Sequence, residues 1–202
     1  MRRWTIVAAI VCLFVVPVAR ADGDPASDYL LGTSAFVPPD ANIPNADAQQ
    51  LRDVLAAAKA GGCEIRVALI ATTYDMGSVA SLFRRPHQYA RFLGQELFFV
   101  YKGRLLVVMP NGYGVSRGGK LFPPAQRLAD RLPAPGNDGH ALAAGATAAV
   151  RKLAAAGGIN VPLPKVAPAK SHSGDWFLLG VIALVVIAAG AATIVARRRR
   201  SV

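Results

Sequence analysis

The sequence predicts an α/β protein: a small α/β/α sandwich built on a parallel βαβ core, with one C-terminal transmembrane helix. Residues 64–71 and 104–109 are short apolar runs that are typical of buried strands. Between them lies an amphipathic segment that begins near Pro86, and a strand, crossover helix and second strand form a parallel pair. Residues 176–196 contain no charged side chain, and 21 residues are enough to cross a bilayer as a helix.

Both ends of the chain carry signals for membrane targeting. Residues 1–21 have a cationic start, an apolar stretch and an A-x-A ending, which together indicate a cleaved signal peptide. An uncleaved signal anchor is the alternative, although this apolar stretch is short for a span. Residues 197–202 begin with a run of arginines, which keeps that end of a span in the cytoplasm. We therefore expect a single-pass plasma-membrane protein with its N-terminal domain outside and its C-terminus in the cytoplasm.

The formal net charge of +11 would suit a nucleic-acid partner, but much of this charge belongs to the targeting segments. Seven of the 23 Lys and Arg lie there, at Arg2, Arg3, Arg20 and positions 197–200. The exported part keeps 16 basic residues against 12 acidic ones, a net charge of +4. Its basic residues do not alternate with aromatic ones, as a nucleic-acid surface would need. The expected partners are therefore the lipid bilayer, through residues 176–196, and another envelope protein.

The exported part divides into three segments. Residues 22–44 mix turn formers with isolated apolar residues, and their prolines exclude a long helix, so we expect an irregular N-terminal segment. Residues 45–156 carry the strand and helix patterns of one domain of ordinary size. Residues 157–175 are rich in proline and serine, and they predict a semi-extended linker to the membrane.

The domain opens with a helix. Apolar residues recur with a helical period from Leu51 to Ala58, and the glycine pair at 61–62 ends the helix. The apolar run 64–71 follows as the first strand. The next helix begins near Pro86, a favourable first-turn residue, and leads to the second strand.

Beyond the second strand, the pattern predicts one more strand and two more helices. Residues 110–114 indicate a tight turn, and Val115 begins a short edge strand. Residues 125–132 and 140–156 have the apolar spacing of helices and are separated by prolines. These helices complete the predicted sandwich.

The cysteine content excludes an internal disulfide. Cys12 leaves with the signal peptide, so Cys63 stands alone in the exported chain. We expect a buried thiol at Cys63, and an intermolecular disulfide is the alternative.

A candidate ligand crevice lies where the two parallel strands end, because open α/β sheets bind ligands beyond the carboxyl ends of their strands. Thr73 and Asp75 follow the first strand, and Asn111 and Tyr113 follow the second. Alternatively, Asp75 and Asn111 are turn residues whose side chains bond the local backbone. No motif of demanding spacing predicts a catalytic residue. The nearby arginine pair at 84–85 is most simply a solvated turn.

Three stretches of the domain resemble the TPM domain, which occurs in thylakoid-lumen proteins and in bacterial single-span membrane proteins. They are ADAQQLRDVLAAAKAGGCEIRVALI, YARFLGQEL and YKGRLLVVMPNGYGVSR. The resemblance implies a compact α/β/α sandwich. It also implies, from some members of the family, weak acid phosphatase activity or calcium binding by clustered aspartates. In this chain Asp28 and Asp75 are the acids near the strand ends that could act as such metal ligands, and the residues after Gly114 are basic.

Two classes of function are therefore expected. The first is a non-catalytic, membrane-anchored extracytoplasmic module that binds another envelope protein or senses a ligand. No cofactor is expected for such a module. The alternative is a degenerate TPM-like, metal-dependent phosphatase, which would use Ca²⁺. The scarcity of acids near the strand ends favours the first class, because catalysis at a phosphoryl group needs a metal or several cations around it.

Overall fold

The computed structural model describes residues 23–163, and a mixed five-stranded sheet lies at their centre. The strands are β1 (Ala35–Phe36), β2 (Ile65–Leu69), β3 (Arg104–Met109), β4 (Gly112–Arg117) and β5 (Lys120–Leu121). The helices are α1 (Pro25–Gly32), α2 (Asn45–Ala60), α3 (Pro86–Glu96), α4 (Pro123–Ala129) and α5 (Gly139–Ala155), with 3-10 segments at Pro39–Ala41 and Thr73–Leu82. The predicted signal peptide and transmembrane helix lie outside the described residues. Within residues 23–163, every helix is too short or too polar to cross a membrane.

The strands lie in the sheet in the order β1-β2-β3-β4-β5. The first three are parallel, and β4 and β5 continue the sheet in antiparallel pairs. β2 pairs with β3 from Ile65 opposite Arg104 to Leu69 opposite Val108, and α3 connects the two strands. The predicted parallel βαβ core is thus confirmed.

The remaining predicted elements are present with shifted ends. β3 has the predicted bounds, whereas β2 is shorter than the predicted run 64–71. The helix expected at 125–132 is α4, which begins two residues earlier at a proline pair and ends earlier as well. The helix expected at 140–156 is α5, shifted by one residue at each end. Such shifts are usual at helix ends, where capping rather than periodicity sets the boundary.

β4 differs from the expected tight turn at 110–114 and the short edge strand from Val115. The turn covers only the first two of these residues, and β4 runs for six residues between β3 and β5. Gly112 has a φ of +145°, a conformation that favours glycine. A Cβ atom at Gly114 would collide with the carbonyl oxygen of Pro86 on α3. The small residues that indicated a turn therefore let a helix pack directly on a strand.

Residues 22–44, which we expected to be irregular, contain α1, β1 and a 3-10 turn. Asp24 caps α1, since the backbone N–H of Ala26 donates to its Oδ1 atom at 3.3 Å. Pro25 occupies the first position of the helix, where its missing N–H has no partner to lose. Leu30 is fully buried, so this short helix packs on the rest of the domain.

Each face of the sheet carries its own hydrophobic cluster. Side chains of one strand alternate between the clusters, so Leu69 of β2 joins the first cluster and Ala68 joins the second. The first cluster contains residues of α2, α4 and α5, and the second contains residues of α1 and α3. Cys63 is buried in the first cluster, as expected, and Nη1 of Arg104 donates to its Sγ atom at 2.7 Å. The described residues thus form three layers, with helices on both faces of the sheet.

A buried acid, Asp24, links α1 to α3. The hydroxyl of Tyr89 lies 2.7 Å and 2.9 Å from its two carboxylate oxygens, and both residues are buried. Burial raises the pKa of Asp24 from 3.8 to about 6, although the hydrogen bonds from Tyr89 and from the N–H of Ala26 lower it in part. Burial also raises the pKa of Tyr89 above its usual range, and the charge of Asp24 adds to this effect. The N-terminal helix is therefore attached through a carboxylate that has lost most of its hydration.

Leu69 and Val107 are both fully buried, on adjacent parallel strands, as the sequence predicts. They belong to different clusters, Leu69 with Leu55 and Val107 with Phe92. We predict that Leu69→Ala and Val107→Ala each lower the free energy of unfolding by roughly 1–4 kcal/mol, because each leaves a cavity. The double variant should lose the sum to within about 0.5 kcal/mol, because the cavities lie on opposite faces. Urea unfolding of residues 22–170 measures all three variants, and a double variant far from the sum would contradict two separate clusters.

Asp24→Asn should change how stability depends on pH. The folded-state pKa of Asp24 lies above its unfolded value, so the wild type loses stability as the pH rises from about 4 through about 6. Asparagine keeps an oxygen for Tyr89 but carries no charge, so the variant should lose less, by up to about 3 kcal/mol. Urea unfolding at acidic and neutral pH checks this expectation. Parallel stability profiles for the two proteins would show that Asp24 is not the group responsible.

Candidate functional site

A cleft of about 420 Å³ opens at the end of the sheet where β3 finishes and α3 begins. The start of α3, the turn between β3 and β4, and the chain at and after the end of α4 surround it. Its lining residues are Arg84, Arg85, Pro86, His87, Gln88, Asn111, Gly112, Tyr113, Asp130, Leu132 and Ala134. This is the carboxyl end of the parallel strands, where α/β proteins commonly bind their ligands.

The cleft contains two of the four residues that the sequence predicts for a ligand crevice. Asn111 and Tyr113 line it, whereas Thr73 and Asp75 do not. Thr73 is exposed at the start of the second 3-10 segment. The carboxyl end of β3 therefore contributes to the cleft, and the carboxyl end of β2 does not.

The carboxylate of Asp75 bonds the local backbone. Its Oδ2 atom accepts hydrogen bonds from the N–H groups of Ala71 and Thr72, both at 2.8 Å. Asp75 is buried, and these bonds cap the 3-10 segment that follows β2. This geometry agrees with the alternative interpretation of Asp75 as a turn residue.

The two predicted metal ligands lie on different segments, Asp28 on α1 and Asp75 in the second 3-10 segment. Asp28 is exposed on α1, and Asp75 is engaged by backbone N–H groups. Among residues 23–163, no group of three or more His, Cys, Asp or Glu side chains is placed to hold a metal ion. Ca²⁺ takes about six to eight oxygen ligands. Asp28 and Asp75 alone would supply only part of such a ligand set, and a calcium site at these two residues stays a prediction.

Arg84 has an unusual backbone conformation at the edge of the cleft. Its φ is +60°, in the left-handed region that residues other than glycine rarely adopt. The side chain of Asn111 donates from Nδ2 to the carbonyl oxygen of Arg84 at 2.7 Å, which holds this conformation in place. Such strain costs about 1–3 kcal/mol and is found most often at functional sites.

Tyr113 fixes one wall of the cleft. Its hydroxyl donates to the carbonyl oxygen of Pro133 at 3.1 Å, in the segment that follows α4. The residue is mostly buried, and burial raises the pKa of its hydroxyl. The hydroxyl thus remains a donor and attaches that segment to β4.

Gln126 of α4 connects the cleft to the sheet. Its Oε1 atom accepts from the N–H of Val115 at 2.7 Å, and its Nε2 atom lies 2.9 Å from the carbonyl oxygen of Tyr113. The same Nε2 atom lies 2.7 Å from Oδ1 of Asp130 and 2.8 Å from Nε2 of His87. An amide nitrogen has two hydrogens, so Gln126 cannot donate to all three neighbours at once. His87 and Asp130 thus meet at the amide of one buried side chain, with Nε2 of His87 3.4 Å from Oδ1 of Asp130.

The cleft carries an excess of positive charge. Arg84 and Arg85 are exposed, and neither forms a salt bridge within the described part of the chain. Asp130 is the one acidic residue of the lining. α3 begins at Pro86 with no side-chain cap, so the dipole of this helix adds positive potential at the same place. The cleft is therefore suited to an anionic group.

The sequence predicts no ligand role for Arg84, Arg85 or His87. They become part of a site because α4 packs against the start of α3 through Gln126, which is 39 positions from His87. No local spacing signals a contact over that distance. The one signal that could have been used is the position of the arginine pair immediately before a proline-initiated helix, where the helix dipole favours anions.

We predict that Asp75→Ala lowers the free energy of unfolding by about 0.5–2 kcal/mol, the usual loss for a helix cap. Asp75→Asn keeps an oxygen acceptor and should lose less. Millimolar calcium should leave the thermal midpoint unchanged in the wild type and in both variants, as measured on residues 22–170. A calcium-dependent rise in the wild type that vanishes in Asp75→Ala would instead identify Asp75 as a metal ligand.

Comparisons with known proteins give no information on what the cleft binds. No protein-family model, no curated protein and no solved structure matches this chain. The likeness to the TPM domain therefore rests on the three sequence stretches at residues 46–70, 89–97 and 101–117. What the cleft binds follows only from the chemistry of its own side chains.

Proposed function

We propose that this chain is a membrane-anchored, non-catalytic module of the cell envelope whose extracytoplasmic domain binds an acidic segment of another envelope protein. The observation that carries the binding role is the pair of arginines at the cleft, Arg84 and Arg85, which have no acidic partner among residues 23–163. The membrane anchor rests on the signal-like residues 1–21 and the apolar run 176–196.

An acidic ligand fits the chemistry of this pair. A guanidinium group presents a planar set of donors that matches a carboxylate in two parallel hydrogen bonds. Two adjacent arginines at one opening attract anions and repel cations. Hydrogen bonds to charged groups contribute about 1.5–3 kcal/mol each, so two of them would give a short acidic segment a useful part of its affinity.

The backbone of Arg84 favours a binding role over a simple solvated turn. Glycine adopts a φ of +60° without steric cost, so glycine is the residue expected where only the turn matters. Here an arginine stands at that position, and Asn111 donates a hydrogen bond that maintains it. The presence of arginine at this strained position is explained if its guanidinium group binds a ligand in the cleft.

A degenerate TPM-like, metal-dependent phosphatase is the second candidate. The observation that favours it is the contact of His87 with Asp130, at 3.4 Å, beside two arginines that could bind a phosphate ester. Two features weigh against it. Oδ1 of Asp130 also lies 2.7 Å from Nε2 of Gln126, which competes for it as a hydrogen-bond donor. The lining also supplies a single carboxylate, fewer than a divalent cation in a phosphatase commonly uses.

The arginine pair can be removed without adding strain. Arg84→Gly removes the first guanidinium, and glycine adopts a φ of +60° without strain. Arg85→Ala removes the second guanidinium. Arg91→Ala is the matched control, because Arg91 is an exposed arginine of α3 that does not line the cleft. We expect the double variant to bind a labelled oligoglutamate peptide at least about tenfold more weakly than the wild type, with the control unchanged. Fluorescence anisotropy with the purified full chain in detergent measures these affinities.

Two outcomes would contradict the proposal. Equal peptide affinity in the wild type and the double variant would exclude the cleft as the site of an acidic ligand. Hydrolysis of a generic phosphomonoester that needs calcium or magnesium, and that His87→Ala abolishes, would contradict the non-catalytic assignment and favour the phosphatase. With the peptide result in hand, a photo-crosslinker at position 88 in native membranes would identify the partner protein.

A further inference from the structure

Three apolar side chains are exposed in the connection between α3 and β3. Phe98, Phe99 and Val100 are 38 %, 93 % and 59 % exposed, and Phe99 is the most exposed large apolar residue within residues 23–163. We call residues 98–100 the aromatic loop. Contact of this much apolar surface with water is unfavourable, and exposed patches of this kind mark interaction sites.

Basic side chains stand beside the aromatic loop. Nζ of Lys102 lies 4.8 Å from the centre of the Phe98 ring. Lys120 shares with the loop a groove of about 310 Å³. Two acidic residues are near in the sequence. Glu64 is paired with Lys59 at 3.1 Å. Glu96, the last residue of α3, forms no salt bridge with Lys102 or Lys120. The surface therefore combines an apolar tip with two lysines whose charges are not neutralised by a salt bridge within the described residues.

Residues 157–159, just before the end of the described chain, lie near the same end of the sheet. The aromatic loop leads into β3, whose first residue is Arg104. A guanidinium nitrogen of Arg104 lies 3.7 Å from the Cβ position of Gly157, and Ile159 packs against Gly61 at the end of α2. Residues 164–175 separate the described part from the predicted span, and twelve residues reach at most about 40 Å. A bilayer that holds residues 176–196 is therefore within reach of the loop.

From the exposed loop, its lysines and the end of the described chain, we infer that the aromatic loop enters the headgroup layer of the membrane that anchors the protein. Lys102 and Lys120 bind the anionic headgroups. Phenylalanine is among the apolar residues that segments at the membrane surface bury at the boundary between headgroups and acyl chains. Each lysine near an anionic surface gains from its negative potential. A second copy fits less well, because a two-fold contact would bring the same lysines together. The inference rests on the membrane anchor of the proposed function but not on what the cleft binds.

Tryptophan fluorescence of the full chain in lipid vesicles tests this contact. Trp4 and Trp176 are replaced by phenylalanine, and Phe99→Trp then supplies the single emitter. The matched control is Tyr74→Trp in the same background, because Tyr74 is 88 % exposed and follows β2 at the opposite end of the sheet. Vesicles of phosphatidylcholine and phosphatidylglycerol carry a lipid with a nitroxide near its headgroup. Carbonate extraction reports separately whether the chain is integrated in the bilayer.

We expect the chain to resist extraction and the emission of Phe99→Trp to be quenched at least about twofold more strongly than that of Tyr74→Trp. Adding Lys102→Glu and Lys120→Glu, or leaving out phosphatidylglycerol, should remove a large part of that difference. An integrated chain with equal quenching at the two positions overturns the inference alone. A blue shift of Phe99→Trp that grows with protein density, without quenching, indicates a second copy and also overturns it. Extraction by carbonate overturns the proposed membrane anchor, and the inference with it.

Discussion

The start of α3 lies in direct contact with the backbone of β4, because Gly114 has no side chain to keep the carbonyl of Pro86 away. A larger residue at this position would push α3 outward and move the chain that precedes it, including Arg84 and Arg85. The same helix is the crossover between the parallel strands β2 and β3, and it supplies Tyr89, which binds the N-terminal helix. The parallel core, the attachment of α1 and the shape of the cleft therefore all depend on one close approach.

Long apolar patterns predict the main elements of this fold well. The bounds of β3 match the run 104–109, and α2 and α5 lie close to their predicted positions. Burial on one or two faces imposes a period on these segments, and the period is visible in the sequence. The two-residue strands β1 and β5 and the eight-residue α1 contain too few positions for a period. β4 is long enough to show the period of a strand. Its glycines, which permit the contact with α3, are also typical of turns, and they led to the wrong prediction.

The site was less accessible to sequence reasoning than the fold. The position of Asn111 at the cleft was predicted correctly, because it follows a parallel strand and α/β sheets bind ligands at the carboxyl ends of such strands. Asp75 also follows a parallel strand, yet its carboxylate accepts hydrogen bonds from nearby backbone N–H groups. An aspartate that binds a ligand and one that bonds the local backbone can have the same local sequence, so the sequence does not distinguish them. Gln126 lies on α4 and Asp130 directly follows that helix, so their role depends on packing between segments far apart in the chain. The buried amide of Gln126 would be costly to leave unpaired, so the position of α4 is fixed from within the core.

The length of β3 has a consequence for the proposed acidic partner. The cleft and the aromatic loop lie at opposite ends of this six-residue strand. At about 3.3 Å per residue, the strand separates them by about 20 Å. With the loop among the headgroups, the cleft would stand at that height above the membrane, a height set by the hydrogen-bonded sheet and not by the linker. A partner anchored in the same bilayer would then need a stalk of matching height beneath its acidic segment, whereas a partner free in the surrounding compartment would not.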